Sequence, residues 1–168
     1  MFKSKLVSYI FNHQSSKNLG SSKMIKVKFS RGNLNNSQQQ IVTAGFVRHT
    51  NECTAPAFQK ERINWLAYDD AEVLVGVLTA DLLWDWLYID ELWIDESCRG
   101  TGLGKKLMGT AEDYAISHRL TGLWLWTQSW QAASFYDRLG YKEFTRFTDF
   151  PKGHYRIGLR KQISVTKK

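Results

Sequence analysis

Three glycines alternate with other residues directly after an apolar, β-prone run, and this spacing is suited to holding a phosphate. The stretch from Leu92 to Met108 reads LWIDESCRGTGLGKKLM, so a strand pattern passes through an acidic turn into a helical pattern. The first turn of a helix has N–H groups without internal partners, and its dipole favours an anion. Glycine lets the ligand approach these groups because it has no Cβ. The sequence therefore predicts an anion-binding turn at residues 99–105.

The spacing of the glycines excludes two common nucleotide-binding loops. A mononucleotide P-loop has four residues between its first glycine and a Gly-Lys pair, and then Ser or Thr. Here Gly100 lies too close to Gly104, and Lys106 follows Lys105. A dinucleotide fingerprint is G-x-G-x-x-G early in a βαβ unit, whereas this G-x-G-x-G comes late in the chain. A glycine-rich turn that only begins a helix is the remaining alternative.

Length and composition indicate one domain with a substantial core and no bound metal. The chain has 168 residues, of which 43% are hydrophobic, and it has no apolar run of the roughly 18–20 residues that span a bilayer. Its cysteines, Cys53 and Cys98, match no metal or redox spacing, and the four histidines are scattered. A reducing, cytoplasmic location is the default expectation.

The net charge of +7 comes from the two ends of the chain. Residues 1–31 contain seven Lys or Arg and no acid, and residues 152–168 contain six and no acid, so the middle is net acidic. No aromatic platform is interleaved with arginines, which makes nucleic acid an unlikely partner. We interpret residues 1–23 as a basic, mobile extension, with Met24 as the start of the domain and 162–168 as a polar tail.

The elements around the glycine turn follow from hydrophobic periodicity. Met24 opens a first strand, Ser37 is a candidate N-cap, and residues 50–59 form a loop or a short irregular helix. The helices are predicted at about Gln38–Arg48, from Leu103 to a stop at Gly122, and at Trp130–Leu139. The further strands are predicted at Arg62–Tyr68, Glu72–Ala80, Trp86–Ile94, Leu123–Thr127, Tyr141–Phe147 and His154–Arg160. This order predicts a mixed α/β sheet. The helix that begins at Leu103 is a crossover between the strands Trp86–Ile94 and Leu123–Thr127, so these two strands are predicted to be parallel.

Two motifs resemble the signatures of the GCN5-related N-acetyltransferases, the GNAT superfamily. Residues 99–104, RGTGLG, resemble the first signature, Arg/Gln-x-x-Gly-x-Gly/Ala. Residues 129–141, SWQAASFYDRLGY, resemble the second, which usually begins with Asn, and Ser129 is a departure from it. The two motifs occur in the family's order, and the resemblance spans residues 26–161. It implies a mostly antiparallel sheet flanked by helices, with a parallel pair splayed around an acetyl-CoA site.

The resemblance implies which residues hold acetyl-CoA as a co-substrate. The strand before the turn would offer backbone groups to the pantetheine arm and the thioester, and the turn would surround the pyrophosphate. Ser129 and Tyr136 of the second motif would complete the site. The predicted cofactor-binding residues are Leu92, Trp93, Ile94, Arg99, Gly100, Thr101, Gly102, Leu103, Gly104, Lys105, Ser129 and Tyr136.

Direct transfer of an acetyl group to an amine needs a general acid and a general base. Tyr136 falls on the Tyr of the second signature, and a phenol is able to protonate a departing thiolate at neutral pH. Asp90 and Glu91 are candidate bases on the strand before the turn. In a regular strand these neighbours point to opposite faces, so only one is expected to face the cleft, and a bulge would change which one. The structural alternatives are a core aromatic at Tyr136 and strand-edge charges at the carboxylates.

The acceptor is less well defined by the sequence. Trp84, Asp85 and Trp86 form an acidic, aromatic turn that would suit a small cationic amine, although a solvated hairpin tip is an equal alternative. A protein or peptide amine is a second possible acceptor, and a non-catalytic acyl-CoA-binding module is a third interpretation. The sequence leaves open whether the protein forms a homodimer.

Overall fold

A computed structural model describes residues 25–163, and the chain divides between Ala44 and Gly45 into two units. The predicted basic extension 1–23, the proposed start at Met24 and residues 164–168 of the predicted tail lie outside the described residues. In the first unit, residues 25–35 form neither helix nor strand. The prediction of a first strand here is wrong. Alternation produces a strand only where another strand pairs with it, and the side chains of Ile25, Val27 and Phe29 are instead almost fully exposed.

The first helix, α1 (Asn36–Glu52), begins at a capping box. The backbone N–H of Gln38 donates to Asn35 Oδ1 at 2.9 Å, and the backbone N–H of Asn35 donates to Gln38 Oε1 at 3.0 Å. This reciprocal pair satisfies two N–H groups at the helix start. Asn35 therefore caps the helix in place of the predicted Ser37.

The second unit contains a six-stranded sheet. Its strand order is β1-β2-β3-β4-β6-β5. The strands are β1 (Lys60–Tyr68), β2 (Leu74–Leu83), β3 (Trp86–Ile94), β4 (Gly122–Gln128), β5 (Lys142–Thr148) and β6 (Tyr155–Gln162). All neighbours are antiparallel except β3 and β4, which are parallel. The predicted meander, crossover and mixed sheet are thereby confirmed.

The parallel pair separates partway along its length. Pairing between β3 and β4 runs from Trp86 opposite Gly122 to Ile89 opposite Leu125, and it ends there. Both strands continue beyond this point, β3 to Ile94 and β4 to Gln128. Because the two strands no longer share hydrogen bonds, a cleft opens between them at the end of the sheet that leads into the glycine turn.

The helix α2 (Leu103–Ser117) covers one face of the sheet and forms most of the core with it. Leu107, Met108, Ala111 and Ala115 recur at helical spacing and are buried. They pack with Leu78, Ala80, Leu87, Ile89, Leu123 and Leu125, which alternate along the three central strands. The helix ends at Ser117, earlier than predicted, because Arg119 takes a positive φ of 56°.

Gly122 begins β4 and does not end the preceding helix. A Cβ at this position would lie 2.5 Å from the carbonyl oxygen of Lys161 and 2.7 Å from the ring of Trp86, so no side chain fits. The last helix, α3 (Ala133–Arg138), is shorter than predicted and ends before Gly140, whose φ is 88°. The final strand β6 continues through Gln162, one residue beyond the predicted end of the domain.

Candidate active site

The turn after β3 is fixed by the carboxylate of Asp95. Its backbone N–H donates to the carbonyl of Val75 at 2.9 Å, which ties the end of β3 to β2. Asp95 Oδ1 accepts from the backbone N–H of Ser97 at 2.9 Å and from its hydroxyl. These hydrogen bonds lower the pKa of Asp95 and organise the short 3-10 turn Glu96–Cys98. The chain then enters the glycine motif in a defined direction.

Gly100 and Gly102 adopt backbone conformations that favour glycine, with φ of 76° and 91°. A Cβ at either position would meet nothing within 4 Å, so neighbouring atoms do not require glycine there. Gly102 is the N-cap of α2 and has no capping side chain. The N–H groups of the first helical turn therefore face an open, backbone-lined concavity, which suits a pyrophosphate.

Two side chains of the turn have local structural roles. The guanidinium of Arg99 donates from Nε to the carbonyl of Ile94 at 3.3 Å, and its Nη1 lies 3.4 Å from Glu96 Oε1. The hydroxyl of Thr101 donates to the carbonyl of Cys98 at 2.7 Å. Arg99 lines the cleft, whereas Thr101 does not. Arg99 thus brings a positive charge to the rim of the concavity.

The cleft between β3 and β4 has a volume of about 1400 Å³ and joins the turn to α3. It brings together ten of the twelve residues predicted to hold acetyl-CoA and all three predicted catalytic residues. Thr101 and Ser129 are the two that do not line it. The predicted residues that line it are Asp90, Glu91, Leu92, Trp93, Ile94, Arg99, Gly100, Gly102, Leu103, Gly104, Lys105 and Tyr136.

A β-bulge at Asp90 determines where the two carboxylates point. Thr79 of β2 pairs with Glu91 and Ala80 pairs with Ile89, so Asp90 is an extra residue in β3. The regular alternation is broken, and Leu92 packs on the same core as Ile89. Asp90 and Glu91 therefore both project from the sheet face opposite α2. The prediction that only one of them faces the cleft assumed a regular strand, and it is wrong because of the bulge.

Hydrogen bonds on that face confirm the common direction of the two side chains. Asp90 Oδ2 lies 2.7 Å from Arg62 Nη2, and Glu91 Oε2 accepts from the hydroxyl of Thr79 at 3.3 Å. Arg62 Nη1 donates in turn to Thr79 Oγ1 at 3.3 Å. The nearby Tyr88 is half-buried, and burial and the charge of Asp90 raise its pKa.

Tyr136 approaches the cleft from α3 and is held between two aromatic rings. The centroids of Phe135 and Tyr141 lie 5.1 and 6.0 Å from that of Tyr136, both in edge-to-face geometry. Burial raises the pKa of Tyr136 to about 12. The phenol therefore carries its proton throughout the neutral range, as a general acid requires.

The link between β4 and α3 is organised by Gln131, and Ser129, which was predicted to bind the cofactor, does not line the cleft. Gln131 Oε1 accepts from the backbone N–H of Gln128 at 2.8 Å and from the hydroxyl of Thr127 at 3.3 Å. Gln131 also lines the cleft. The hydroxyl of Ser129 lies 3.2 Å from His154 Nδ1, which ties it to the β5–β6 loop.

The structure does not bring Trp84, Asp85 and Trp86 to the cleft. Trp84 and Asp85 form the turn between β2 and β3, and Trp86 begins β3. All three lie at the opposite end of β3 from the glycine motif, and none of them lines the cleft. Trp84 Nε1 donates to the carbonyl of Ala57 at 2.8 Å, and Asp85 bonds to the hydroxyl of Thr121. These contacts secure the hairpin to neighbouring segments. Its predicted role in acceptor binding has no geometric support.

Several residues that line the cleft were not predicted from the sequence. Trp126, Trp130 and Gln131 are among them, and they line the same cleft as Trp93. Alternation along β4 places Trp126 on the face opposite the buried Leu125, which is a signal that the sequence contains. Trp130 is more than half exposed, and its ring packs edge-on against His154 at 4.8 Å.

Comparison with known proteins identifies this arrangement. The profile of the Acetyltransferase (GNAT) family matches residues 36–141, more than half of the chain. The chain belongs to the GNAT acetyltransferase family. This membership confirms the predicted family and the predicted class of enzyme, an acyltransferase that uses acetyl-CoA as co-substrate.

Individual relatives of this GNAT chain agree with the family assignment. It is 38% identical over 81 residues to blasticidin-S acetyltransferase of Streptomyces morookaense, covering 48% of the chain and 60% of that relative's length. An acetyltransferase from Bacillus cereus superposes with a TM-score of 0.70 and 25% identity, covering 80% of this chain and 98% of the other. An aminoglycoside 6′-N-acetyltransferase in complex with coenzyme A has the same fold, with a TM-score of 0.57, 19% identity and coverage of 71% and 81%.

The described part of this GNAT chain contains no cluster of three or more His, Cys, Asp or Glu side chains that could hold a metal ion. Within residues 25–163, no helix is both long and apolar enough to cross a bilayer. The residues of the cleft have the donors and charges that the pyrophosphate of acetyl-CoA requires. The open concavity at Gly100 and Gly102 offers backbone donors, while Arg99 and Lys105 supply positive charge beside it.

Proposed function

We propose that this chain is an acetyl-CoA-dependent N-acetyltransferase that acetylates the primary amine of a small cationic molecule. The observation that carries the proposal is the pairing of two carboxylates with three tryptophans in one cleft. Asp90 and Glu91 lie on the same sheet face, and Trp93, Trp126 and Trp130 line the same cavity. Carboxylates attract an ammonium group, and the exposed indoles of Trp93 and Trp130 stabilise it further by cation–π contact, whereas Trp126 already packs against Phe147 and Arg156.

The first turn of α2 and the end of β3 hold acetyl-CoA in the proposed reaction. When bound, acetyl-CoA supplies a thioester whose acetyl group is transferred directly to the amine. The first turn of α2 holds the pyrophosphate through backbone N–H groups, and the strand residues 92–94 offer backbone groups to the pantetheine arm. This binding converts a bimolecular encounter into a reaction between two held groups.

Proton transfer is assigned to Glu91 and Tyr136. Glu91 takes the proton of the bound ammonium group, directly or through one water, and so produces the nucleophilic amine. Tyr136 donates its proton to the departing thiolate of coenzyme A. Its raised pKa, about 12, means that the phenol enters this step protonated at neutral pH. Neither cysteine is needed as a nucleophile, since no acyl-enzyme is formed.

Two further observations support a small-molecule acceptor and a cytoplasmic location, respectively. One relative is named for acetylation of the antibiotic blasticidin S and a structural neighbour for acetylation of aminoglycosides, and both names describe small amines. Cys53 and Cys98 are free thiols, which supports a reducing, cytoplasmic location.

A panel of acceptors tests this proposal. Release of coenzyme A would be measured with blasticidin S, kanamycin, spermidine, glycine and a lysine-containing peptide, each at low and high salt. We expect turnover with at least one small cationic amine, and a KM that rises with salt as the attraction is screened. Preference for the peptide would favour the protein-amine alternative. Acetyl-CoA binding without turnover of any amine would favour a non-catalytic module.

A further inference from the structure

Arg62 of β1 lies at the centre of a polar network that joins three strands on the cleft face of the sheet. Its Nη2 lies 2.7 Å from Asp90 Oδ2, and its Nη1 donates to Thr79 Oγ1 at 3.3 Å. Its Nε lies 3.1 Å from Asp81 Oδ1. Nη1 and Nη2 thus make hydrogen bonds to separate partners, which orients the planar group, while Nε forms an ion pair with Asp81 Oδ1 that lacks hydrogen-bond geometry.

Asp90 and Glu91 have different partners in this network. Asp90 has an ion pair with Arg62, whereas Glu91 has no cation within 4 Å among residues 25–163 and accepts only the hydroxyl of Thr79. The hydrogen bond with Asp90 is the largest cause that raises the pKa of Arg62. Asp81 is nearly buried and is shared between Arg62 and Lys60, which lies 2.7 Å from Asp81 Oδ2. Arg62 therefore forms ion pairs with Asp90 and Asp81, whereas Glu91 has no ion-pair contact among residues 25–163 and feels the charge of Arg62 only from a greater distance.

We propose that Arg62 is a positioning residue that occupies Asp90 and so leaves Glu91 as the single carboxylate free to accept the proton of the amine. This inference rests on the proposed function. The bulge places two neighbouring carboxylates on one face, where they repel each other and compete for the same ammonium group. Arg62 compensates one of them and, through Thr79, orients the other.

A purely structural role for Arg62 makes a different prediction. An ion pair between β1 and β3 would stabilise the sheet, and its loss would lower the free energy of unfolding without changing the rate of the chemical step. In the positioning role, loss of Arg62 leaves Asp90 as an uncompensated anion beside Glu91. The amine then binds at least as well but is held by the wrong carboxylate, so kcat falls while KM does not rise.

The test compares kcat and KM of R62M, R62K, D90N, E91Q and the double variant R62M/D90N, with acetyl-CoA and the fastest acceptor of the panel described above. R146M is the matched control, because Arg146 forms a similar sheet-surface pair with Glu143 at 2.6 Å and does not line the cleft. Circular dichroism and thermal unfolding would establish that each variant is folded.

We expect kcat of R62M to fall about tenfold with KM within about threefold of the wild type, as loss of a charged hydrogen bond implies. R62K should recover part of this loss, because an ammonium group makes one of the contacts. The double variant should be no slower than D90N alone, since Arg62 has nothing left to compensate once Asp90 is neutral. R146M should match the wild type.

Three results would overturn the inference. An unchanged kcat in R62M would show that Arg62 is only structural. A loss of kcat in D90N as large as that in E91Q would identify Asp90 as the base. If R62M lowered kcat by the same factor in the wild type and in the D90N background, Arg62 would act independently of Asp90. A wild type that acetylates none of the amines would instead contradict the proposed function, and the inference would fail with it.

Discussion

Asp90 and Glu91 are neighbours in β3, yet both carboxylates project from the same face of the sheet. The bulge opposite Thr79 and Ala80 accounts for this, because it adds one residue to β3 and none to β2. The bulge also lies where β3 and β4 stop pairing. A single irregularity thus coincides with the opening of the cleft and with the concentration of negative charge inside it.

Removing the hydroxyl of Tyr136 should slow the chemical step and leave acetyl-CoA binding intact. We expect Y136F to lower kcat by about a hundredfold, the usual contribution of a general acid. Steady-state kinetics and calorimetric titration with acetyl-CoA would measure the two effects. Y68F is the control, since Tyr68 is exposed at the end of β1 and does not line the cleft. Unchanged turnover in Y136F would remove the assignment.

The ionisation of Tyr136 should occur only at strongly alkaline pH. Its pKa of about 12 exceeds the usual value of 10, so the folded state holds the proton more tightly than the unfolded state. Its contribution to stability is complete below pH 10 and is lost as the pH rises toward 12. We therefore expect the tyrosinate absorbance lost in Y136F to titrate well above pH 10, later than the exposed tyrosines and before the fully buried Tyr141, whose pKa is raised further by burial and by Glu112. If Y136F instead lost a component that titrates near pH 10, this result would contradict the burial of the Tyr136 hydroxyl.

Substitution of Gly102 should weaken cofactor binding beyond its effect on stability. G102A places a Cβ at a φ of 91°, and we expect a loss of about 1 kcal/mol in the free energy of unfolding. G153A is a matched control with a φ of 82° and equally open surroundings, away from the cleft. Only G102A should raise the Kd of coenzyme A. Equal Kd values in the two variants would argue against the loop as the pyrophosphate site.

Asp85 should contribute to stability and not to acceptor binding. Its carboxylate bonds to the Thr121 hydroxyl, and its carbonyl accepts from the Thr121 backbone N–H at 2.7 Å. We expect D85N to lower the free energy of unfolding by about 1 kcal/mol. Chemical denaturation and acceptor KM would be measured together. A large rise in KM would restore the hairpin tip as part of the acceptor site.

Much of the fold could be predicted, as could most of the residues that line the candidate cofactor site, because local patterns encode them. The glycine spacing marks the loop, alternation marks the six strands, and a crossover helix requires the parallel pair. The bulge at Asp90 could not be predicted, because it depends on the register between β2 and β3 and not on the residues of β3 alone. The acceptor residues were misplaced for a related reason. Trp86 is four residues from Asp90, which in a strand is about 13 Å along the sheet and away from the cleft.

The role of Glu91 is tested most directly by the turnover of E91Q with an amine that the wild type acetylates. The amide preserves the shape of the side chain and its contact with Thr79 but cannot accept the proton of an ammonium group. We predict that kcat falls about a hundredfold or more while the Kd of acetyl-CoA stays within about twofold of the wild-type value. A kcat close to that of the wild type would contradict the assignment of Glu91 as the base in this cleft.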